Sequence, residues 1–494
     1  MEKHGDNAGQ NTFEKDVERH IPSSLEDGSS PPVVRVDKEL ERRVIRKLDR
    51  HLIPLVFVLY LLAYLDRSNI GNAKIAGMTK SLGNLSSPQY TWFLTIFYIS
   101  YILFEPLGLM WKVVSPHKWA AFTVMGWAIC GTLQGATFNW SGMMAVRFFL
   151  GIFEASFAPG IPYLLSFFYL RHELGLRCGI FLGAAPLATC FAGALAYGIT
   201  SGGPKGIDSW RLIFLVEGLP GVVAAVSAWF LMPDSPETAG FLNAEEIATA
   251  KARAVRQVGS AQGTRLHSIN WHDVWLTMCD VKPWVNGLMY FSCNVSFSSL
   301  PVFLPTILTE MGFTRVNAQG LSAPPYFLAF LVLISTCYIA DKTSQRGYTI
   351  MLLSLTGATG YIMLASSSSV AVRYIGVYLA AAGIFPSIGN ILPWVLNNQG
   401  SDTRRGVGIA IINVVGQCGP LLGTRLYPSN EGPYYRKGMW VCAAFMLLNG
   451  FLALCLRLIC VWENKKLDKK YGPKTPQEVG VGEEDSGPNF RYIL

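Results

Sequence analysis

Apolar positions along this chain gather into twelve long runs, each close to the ~20 residues a helix needs to cross a hydrocarbon core. The runs predict membrane-spanning helices over 52–72, 90–113, 118–138, 142–168, 178–200, 211–232, 284–308, 322–340, 348–366, 371–395, 406–427 and 438–461. Short polar stretches separate them, except between the sixth and seventh. There a longer polar segment holds Asn243-Ala-Glu-Glu246, a capping box ahead of a charged helix over 244–257. The pattern divides the chain into a cytosolic N-terminal tail with a short amphipathic helix (1–50), six helices (51–232), a polar linker (233–282), six more helices (283–462) and a polar tail (463–494). The expected fold class is an all-α membrane protein, with 12 transmembrane helices in two six-helix bundles. Between Asp37 and Arg50, charge alternates with Leu40, Val44, Ile45 and Leu48. That stretch either lies on the inner membrane surface or extends the first span.

Composition agrees with a membrane body. Of 494 residues, 51% are hydrophobic and 15% charged, with mean hydropathy +0.31. A soluble domain carries nearer ~25% charged residues. The ten cysteines show no paired spacing, and most fall inside apolar runs, as buried free thiols do. No metal-ligand pattern appears, and no cofactor is implied. The first thirty or so residues are polar and lack the apolar core of a signal peptide; this tail and the one beyond Glu463 are expected to be disordered. Lys and Arg crowd before the first run (Arg42, Arg43, Arg46, Lys47), after the last (Lys465, Lys466, Lys469, Lys470) and in the even-to-odd loops. The positive-inside rule then places both termini in the cytosol. The net charge of +8 follows from that topology and does not imply a nucleic-acid partner.

The fourth run is the informative one, because it keeps Arg147 and Glu154 inside apolar sequence. A charge there costs several kcal/mol unless it is paired, protonated or facing water. Counting ~1.5 Å per residue puts Glu154 about 20 Å deep. A carboxyl desolvated there without a fixed cation is suited to taking a proton on one side and losing it on the other. Arg67 sits ~22 Å along the first span from its inner edge, a depth similar to that of Arg147, which enters from the other side, and its fork of N–H donors matches a carboxylate. It is the first candidate for gripping an anion, the alternative being a salt bridge to another helix. Asp66 and Arg147 are expected to pair across the first and fourth spans, since each is otherwise unpaired in a dry bundle. In the second half, Tyr290 and Asn294, Asn390 and Trp394, and Asn413 and Gln417 are each four apart. Each pair shares a helix face and is a candidate to line a central cavity. Pro159 with Pro162, Pro186, Pro301 with Pro305, and Pro420 are candidate kinks.

One segment ties these together. Leu62-Ala-Tyr-Leu-Asp66-Arg67-Ser-Asn69-Ile-Gly-Asn72, Phe303-Leu-Pro305, Trp394-Val-Leu-Asn-Asn398, the loop Asp341 to Arg346, and Arg147-x-x-x-Gly151 together resemble the major facilitator superfamily. Within it the chain is similar to the fungal anion:cation symporters, which include allantoate, nicotinate, pantothenate and biotin permeases. The resemblance spans roughly Leu40 to Lys466. Two departures stand out: the loop between spans 2 and 3 has Lys112 near where the superfamily usually has an Asp, and span 5 lacks the Gly-Pro motif of drug antiporters.

The resemblance implies a proton-coupled importer of a small organic anion in the plasma membrane, working by alternating access. Nicotinate is the first guess for the substrate, then allantoate or another ureide, pantothenate and biotin. It implies proton coupling by Glu154, because Gly-x-x-Glu-x-x-x-x-Pro also resembles sialic acid and vesicular glutamate transporters. Substrate binding is assigned to Arg67, Asn69, Tyr290, Asn294, Asn390, Trp394, Asn413 and Gln417. Structural or gating roles go to Asp66, Arg147, Asp341 and Arg346. The expected partners are the substrate, protons and the bilayer, with the protein acting as a monomer. No phosphate-binding loop, zinc motif or nucleophile elbow is present, so the chain is not expected to be an enzyme. A different class, a membrane nutrient sensor that binds without transporting, usually carries a large added cytosolic domain.

Overall fold

Asp37 starts the first helix by accepting the Glu39 N–H at 2.9 Å. The computed structural model describes residues 37–170, 173–203, 206–258, 271–399, 402–472 and 490–494. Helix α1 runs without a break over Lys38–Ser68, so the amphipathic stretch is the extension of the first span. Short pieces carry it on to Ser81, through a π-turn at Lys74–Met78 where Gly77 takes φ 106°. Next come α2 (Ser87–Phe104), α3 (Pro116–Gln134), α4 (Trp140–Phe157), α5 (Leu174–Ser201) and α6 (Ser209–Leu231). Ser86 and Gln89 form a capping box on α2, and Asn139 caps α4 through the Gly142 N–H at 2.7 Å. The linker holds α7 (Ala244–Val258) and α8 (Trp271–Cys279). The second half has α9 (Val281–Glu310), α10 (Arg315–Thr343), α11 (Arg346–Ser366), α12 (Val370–Asn398), α13 (Asp402–Gly416) and α14 (Arg436–Tyr471). No strand occurs among the described residues.

Eleven of these helices are long and apolar enough to cross a membrane. The twelfth span is α3, whose mean hydropathy is lowered by His117, Lys118 and Gln134 at its ends. Large apolar side chains such as Phe122, Val223, Leu352 and Phe451 face outward, which suits contact with lipid. Small residues let helices approach: a Cβ on Gly383 of α12 would run into the backbone of Gly357 in α11.

Within the first half α3 packs on α6, α2 on α4 and α1 on α5; within the second, α11 packs on α12 and α14, and α9 on α13 and α14. The halves meet chiefly where α5 lies against α10 and α12. Two of the expected kinks are breaks. Helix α4 is interrupted at Ala158–Pro159 before Gly160–Leu165, and α13 is interrupted at Gln417 and Cys418 before Gly419–Gly423. Helices α5 and α9 continue through Pro186, Pro301 and Pro305.

The polar ends are tied down by ion pairs. Lys47 on α1 meets Glu246 on α7 at 2.7 Å, and Arg253 reaches Glu41 at 3.0 Å and Glu173 at 2.6 Å. His51 stacks on Phe241 with ring centroids 4.3 Å apart. Val44 and Leu48 are fully buried, which a helix floating on a membrane surface would not need. Helix α8 is fastened to the other half, by Asp273 to Arg404 at 3.2 Å. The tail expected over 463–494 departs from that picture: α14 continues to Tyr471, and residues 490–494 are seated on the helix ends. The disorder expected of residues 1–30 and of 473–489 lies outside the described residues.

Candidate functional site

A cavity sits between the two halves, about midway along the helices. Its wall from the first half is Tyr60, Arg67, Tyr98, Tyr101, Ala158, Pro159, Phe181 and Leu182. Its wall from the second is Tyr290, Asn294, Phe297, Leu392, Asn413, Gln417 and Pro420. Both helix breaks reach it, through Pro159 and through Gln417. The volume is about 30 Å³, room for a water or two, so a larger ligand needs the halves to part. One end is closed by Gly175 of α5, where a Cβ would strike Asp341 and Arg346. The other is closed by Thr200 donating to Gln319 at 2.6 Å and by Gln319 donating to the Asn72 carbonyl at 3.4 Å.

Arg67 and Glu154 form the charged centre. Arg67 Nε and Nη2 both donate to Glu154 Oε2, at 3.0 and 2.7 Å. The pair is desolvated, with side chains 10% and 2% exposed. Oε1 of Glu154 has no hydrogen-bond partner among the described residues. Rings surround the guanidinium: Tyr64, Phe97 and Tyr101 lie 5.6, 5.1 and 5.0 Å from it. Glu154 therefore has the fixed cation that its depth in span 4 did not foretell.

The opposing wall is neutral. Asn294 spends its amide N–H on the Gly416 carbonyl at 3.1 Å. Asn413 and Gln417 are buried residues that line the cavity, and their side-chain amides have no hydrogen-bond partner among the described residues. Six aromatic rings (Tyr60, Tyr98, Tyr101, Phe181, Tyr290 and Phe297) line the rest. Of the eight expected binding residues, Arg67, Tyr290, Asn294, Asn413 and Gln417 share this cavity.

The other three do not. Asn69 is buried beside the cavity helix and accepts from Asn72 Nδ2 at 3.3 Å. Asn390 donates to the Pro386 carbonyl at 2.9 Å and receives Arg346 at 3.4 Å. Trp394 donates its indole N–H to the Ile493 carbonyl at 2.8 Å. Helical spacing puts Asn390 and Trp394 on one face as expected, but that face looks at neighbouring helix ends rather than at the cavity.

The pairing expected for Asp66 and Arg147 is also absent. The Asp66 carboxylate lies against α3, where a Cβ on Gly131 would meet it at 2.6 Å. Asp66 Oδ1 and Arg147 Nε and Nη2 have no hydrogen-bond partner. The two charges feel each other without touching, the Asp66 carboxylate being turned to α3. The expected gate contact is present, with Arg346 Nη2 donating to Asp341 Oδ1. The side chain of Lys112 lies outside the described set.

Two acids escaped the sequence reading. Glu105 follows α2, is 5% exposed, and neither oxygen has a hydrogen-bond partner. It lines a second, mostly apolar cavity of about 120 Å³ with Tyr163, Gly406 and Ile409; Asn413 and Pro159 belong to both cavities. Glu217 on α6 is 2% exposed with both oxygens bare. Each was legible as an acid inside an apolar run, the signal that marked Glu154.

A model of the Major Facilitator Superfamily matches residues 56–424. The chain belongs to the major facilitator superfamily. It is 35% identical over 466 residues to the MFS transporter prlL of a fungal species (strain NRRL 50135), covering 91% of this chain and 93% of that one. It is 30% identical over 493 residues to the high-affinity nicotinic acid transporter of Saccharomyces cerevisiae, covering 97% and 89%. Among solved structures, the proton:xylose symporter XylE superposes with TM-score 0.64 over 88% of this chain and 99% of that one, at 13% identity, a likeness of fold. The protein is thus a multi-pass membrane transporter of twelve-helix architecture, and not an enzyme.

Proposed function

We propose that this transporter carries a small organic anion inward together with a proton, with nicotinate the first candidate substrate. The observation that carries the proposal is the Arg67–Glu154 pair facing a wall of rings and unbonded amides. A proton on Glu154 removes the charge that holds Arg67. The guanidinium fork is then free for a carboxylate, which takes the place of Glu154 with the same two-point geometry. Once the halves part, a flat ring can stack among Tyr60, Tyr98, Tyr290 and Phe297, and Asn413 and Gln417 supply hydrogen bonds to its polar edge.

Coupling follows from the cost of a lone buried charge. Empty, the site holds a neutral ion pair. With proton and anion both bound, Glu154 is neutral and Arg67 is paired with the substrate. The anion alone leaves Glu154 charged and unpaired; the proton alone does the same to Arg67. Both half-loaded states are penalised, so the helices reorient only with both ligands or neither. The co-transported proton offsets an inside-negative potential, which opposes an anion by ~2.3 kcal/mol per charge per 100 mV.

Glu105, just after α2, is a further buried carboxyl and feels the Arg67 charge. It is the second station, receiving Arg67 or the proton as the substrate leaves. The distribution of Lys and Arg supports cytosolic termini, and an import role supports the plasma membrane. The likeness to the yeast nicotinic acid transporter favours nicotinate over allantoate, pantothenate or biotin. A thermal-shift screen of the purified protein against small carboxylates, at acidic and at neutral pH, tests the substrate. Nicotinate stabilising more strongly at acidic pH supports the proposal; stabilisation only by neutral solutes, indifferent to pH, overturns it.

A further inference from the structure

Trp394 and Asn398, drawn out by the sequence but absent from the cavity, hold something else. Residues 490–494 have no regular secondary structure and cross the ends of α11, α12 and α14 as a docked strand-like segment. Two asparagines on different helices grip its backbone in the same way. Asn464 of α14 accepts the Tyr492 N–H at 2.8 Å and donates to the Tyr492 carbonyl at 2.9 Å. Asn398 of α12 accepts the Ile493 N–H at 2.8 Å and donates to its carbonyl at 3.0 Å. Each carboxamide satisfies one donor and one acceptor of a single residue, as a neighbouring β-strand would. The Trp394 indole adds a second bond to the Ile493 carbonyl, at 2.8 Å. The Lys282 ammonium sits 4.8 Å from the Tyr492 ring, and Arg491 bonds Asp468 at 2.8 Å.

The last contact joins this strand to the gate. The Leu494 carbonyl accepts the Gly347 N–H at 3.2 Å. Gly347 lies in the first turn of α11, where backbone N–H groups have no acceptor within their own helix. Its neighbour Arg346 carries the guanidinium that bonds Asp341 and Asn390 and that faces Gly175 of the other half.

We propose that the ends of α11, α12 and α14 form a peptide-binding cleft whose ligand is the chain's own 490–494 strand, and that the seated strand holds the Asp341–Arg346 gate closed. Release of the strand uncaps α11, loosens Arg346 and lets the halves separate on the side of the termini. The recognition is mostly to backbone, so an added peptide of the same residues competes for the cleft. None of this depends on which solute is carried.

Hydrogen–deuterium exchange on the full chain tests the cleft, and labelling of the native thiols Cys178 and Cys337 tests the gate. Both thiols are buried near it, and a Cβ on Gly179 would sit 2.6 Å from Cys337 Sγ. In the native protein the amides of Tyr492, Ile493 and Gly347 are expected to exchange slowly and both thiols to be shielded. Ile493→Pro removes the N–H that Asn398 accepts and leaves the cleft intact. It is expected to speed exchange at Tyr492 and at Gly347 about tenfold or more, and to raise labelling of both thiols several-fold. A synthetic peptide of residues 489–494 is expected to restore the shielding. Trp394→Phe, which removes one donor and keeps the ring, gives a smaller change in the same direction if the proline variant folds poorly. Native Tyr492 and Ile493 amides exchanging at unstructured rates overturn the cleft. Released strand with unchanged thiol labelling overturns the hold on the gate.

Discussion

Arg67 places Nε and Nη2 on one oxygen of Glu154, at 3.0 and 2.7 Å, and leaves the other oxygen without a partner. Removing either residue strands its partner's charge out of water. Glu154→Leu and Arg67→Met, made singly, are each expected to cost about 3–5 kcal/mol of stability. Together they leave no buried charge at this point, and stability should return to within about 1 kcal/mol of the parent. Net uptake driven by a pH gradient should be absent in all three. Denaturation in detergent beside uptake in vesicles checks this. A double variant that keeps this uptake would remove the pair from the mechanism.

Asn413 and Gln417 present unbonded amides to the cavity, while Asn390 and Trp394 are committed elsewhere. Asn413→Ala and Gln417→Ala should each raise KM about two- to tenfold, the worth of a hydrogen bond between neutral groups. Asn390→Ala should leave KM unchanged, and its effect should fall on turnover through Arg346. Initial rates of uptake separate the two groups.

Glu105 is a carboxyl with nothing to satisfy it. Burying an unbonded polar group costs its desolvation, so Glu105→Leu, which removes that group, should stabilise the protein by about 1–3 kcal/mol. If Glu105 is the second station, net uptake should fall while exchange of labelled for unlabelled substrate persists. Stabilisation with uptake unaltered would make it a structural leftover.

These assignments show what the sequence could and could not say. The spans were legible because ~20 apolar residues in a row have few other uses, and Arg67 and Glu154 because charge inside such a run is costly. Spacing by four told that Asn390 and Trp394 share a face, but a helix in a twelve-helix body has several buried faces. Only packing decided that theirs meets Arg346 and Ile493. The pairing of Arg67 with Glu154 rather than Arg147 with Asp66 likewise turns on side-chain direction across three helices. The docked strand was hidden because it is held through its backbone, by Asn398 and Asn464, so its composition carries little of the signal.

Outside the membrane, Glu246 offers a pH test. Burial alone would push its carboxyl up, but the Lys47 hydrogen bond, the Asn243 N–H and the Lys47 and Arg43 charges hold it below the ordinary value of 4.5. A folded-state value below the unfolded one means the contact stabilises fully above the ordinary carboxylate range and is lost as pH falls through the lowered value. Glu246→Gln should therefore destabilise the docking of α7 on α1 near neutrality, and the difference from the parent should vanish in acid. Thermal denaturation across pH checks the sign.

Gly175 is the one residue of the first half whose missing side chain admits both gate groups. Gly175→Leu should hold that end open, raising labelling of Cys178 and Cys337 several-fold while Asn72 and Gln319 stay in place at the other end. Equal labelling in both proteins would mean the gate closes elsewhere.

The central claim is that a proton on Glu154 and an anion on Arg67 travel together. Purified protein in proteoliposomes, given labelled nicotinate and an imposed pH gradient, acid outside, measures it directly. The account predicts accumulation by the parent protein. For Glu154→Gln it predicts exchange of labelled for unlabelled nicotinate with no pH-driven accumulation. Accumulation by Glu154→Gln to the parent's level under the same gradient would contradict it.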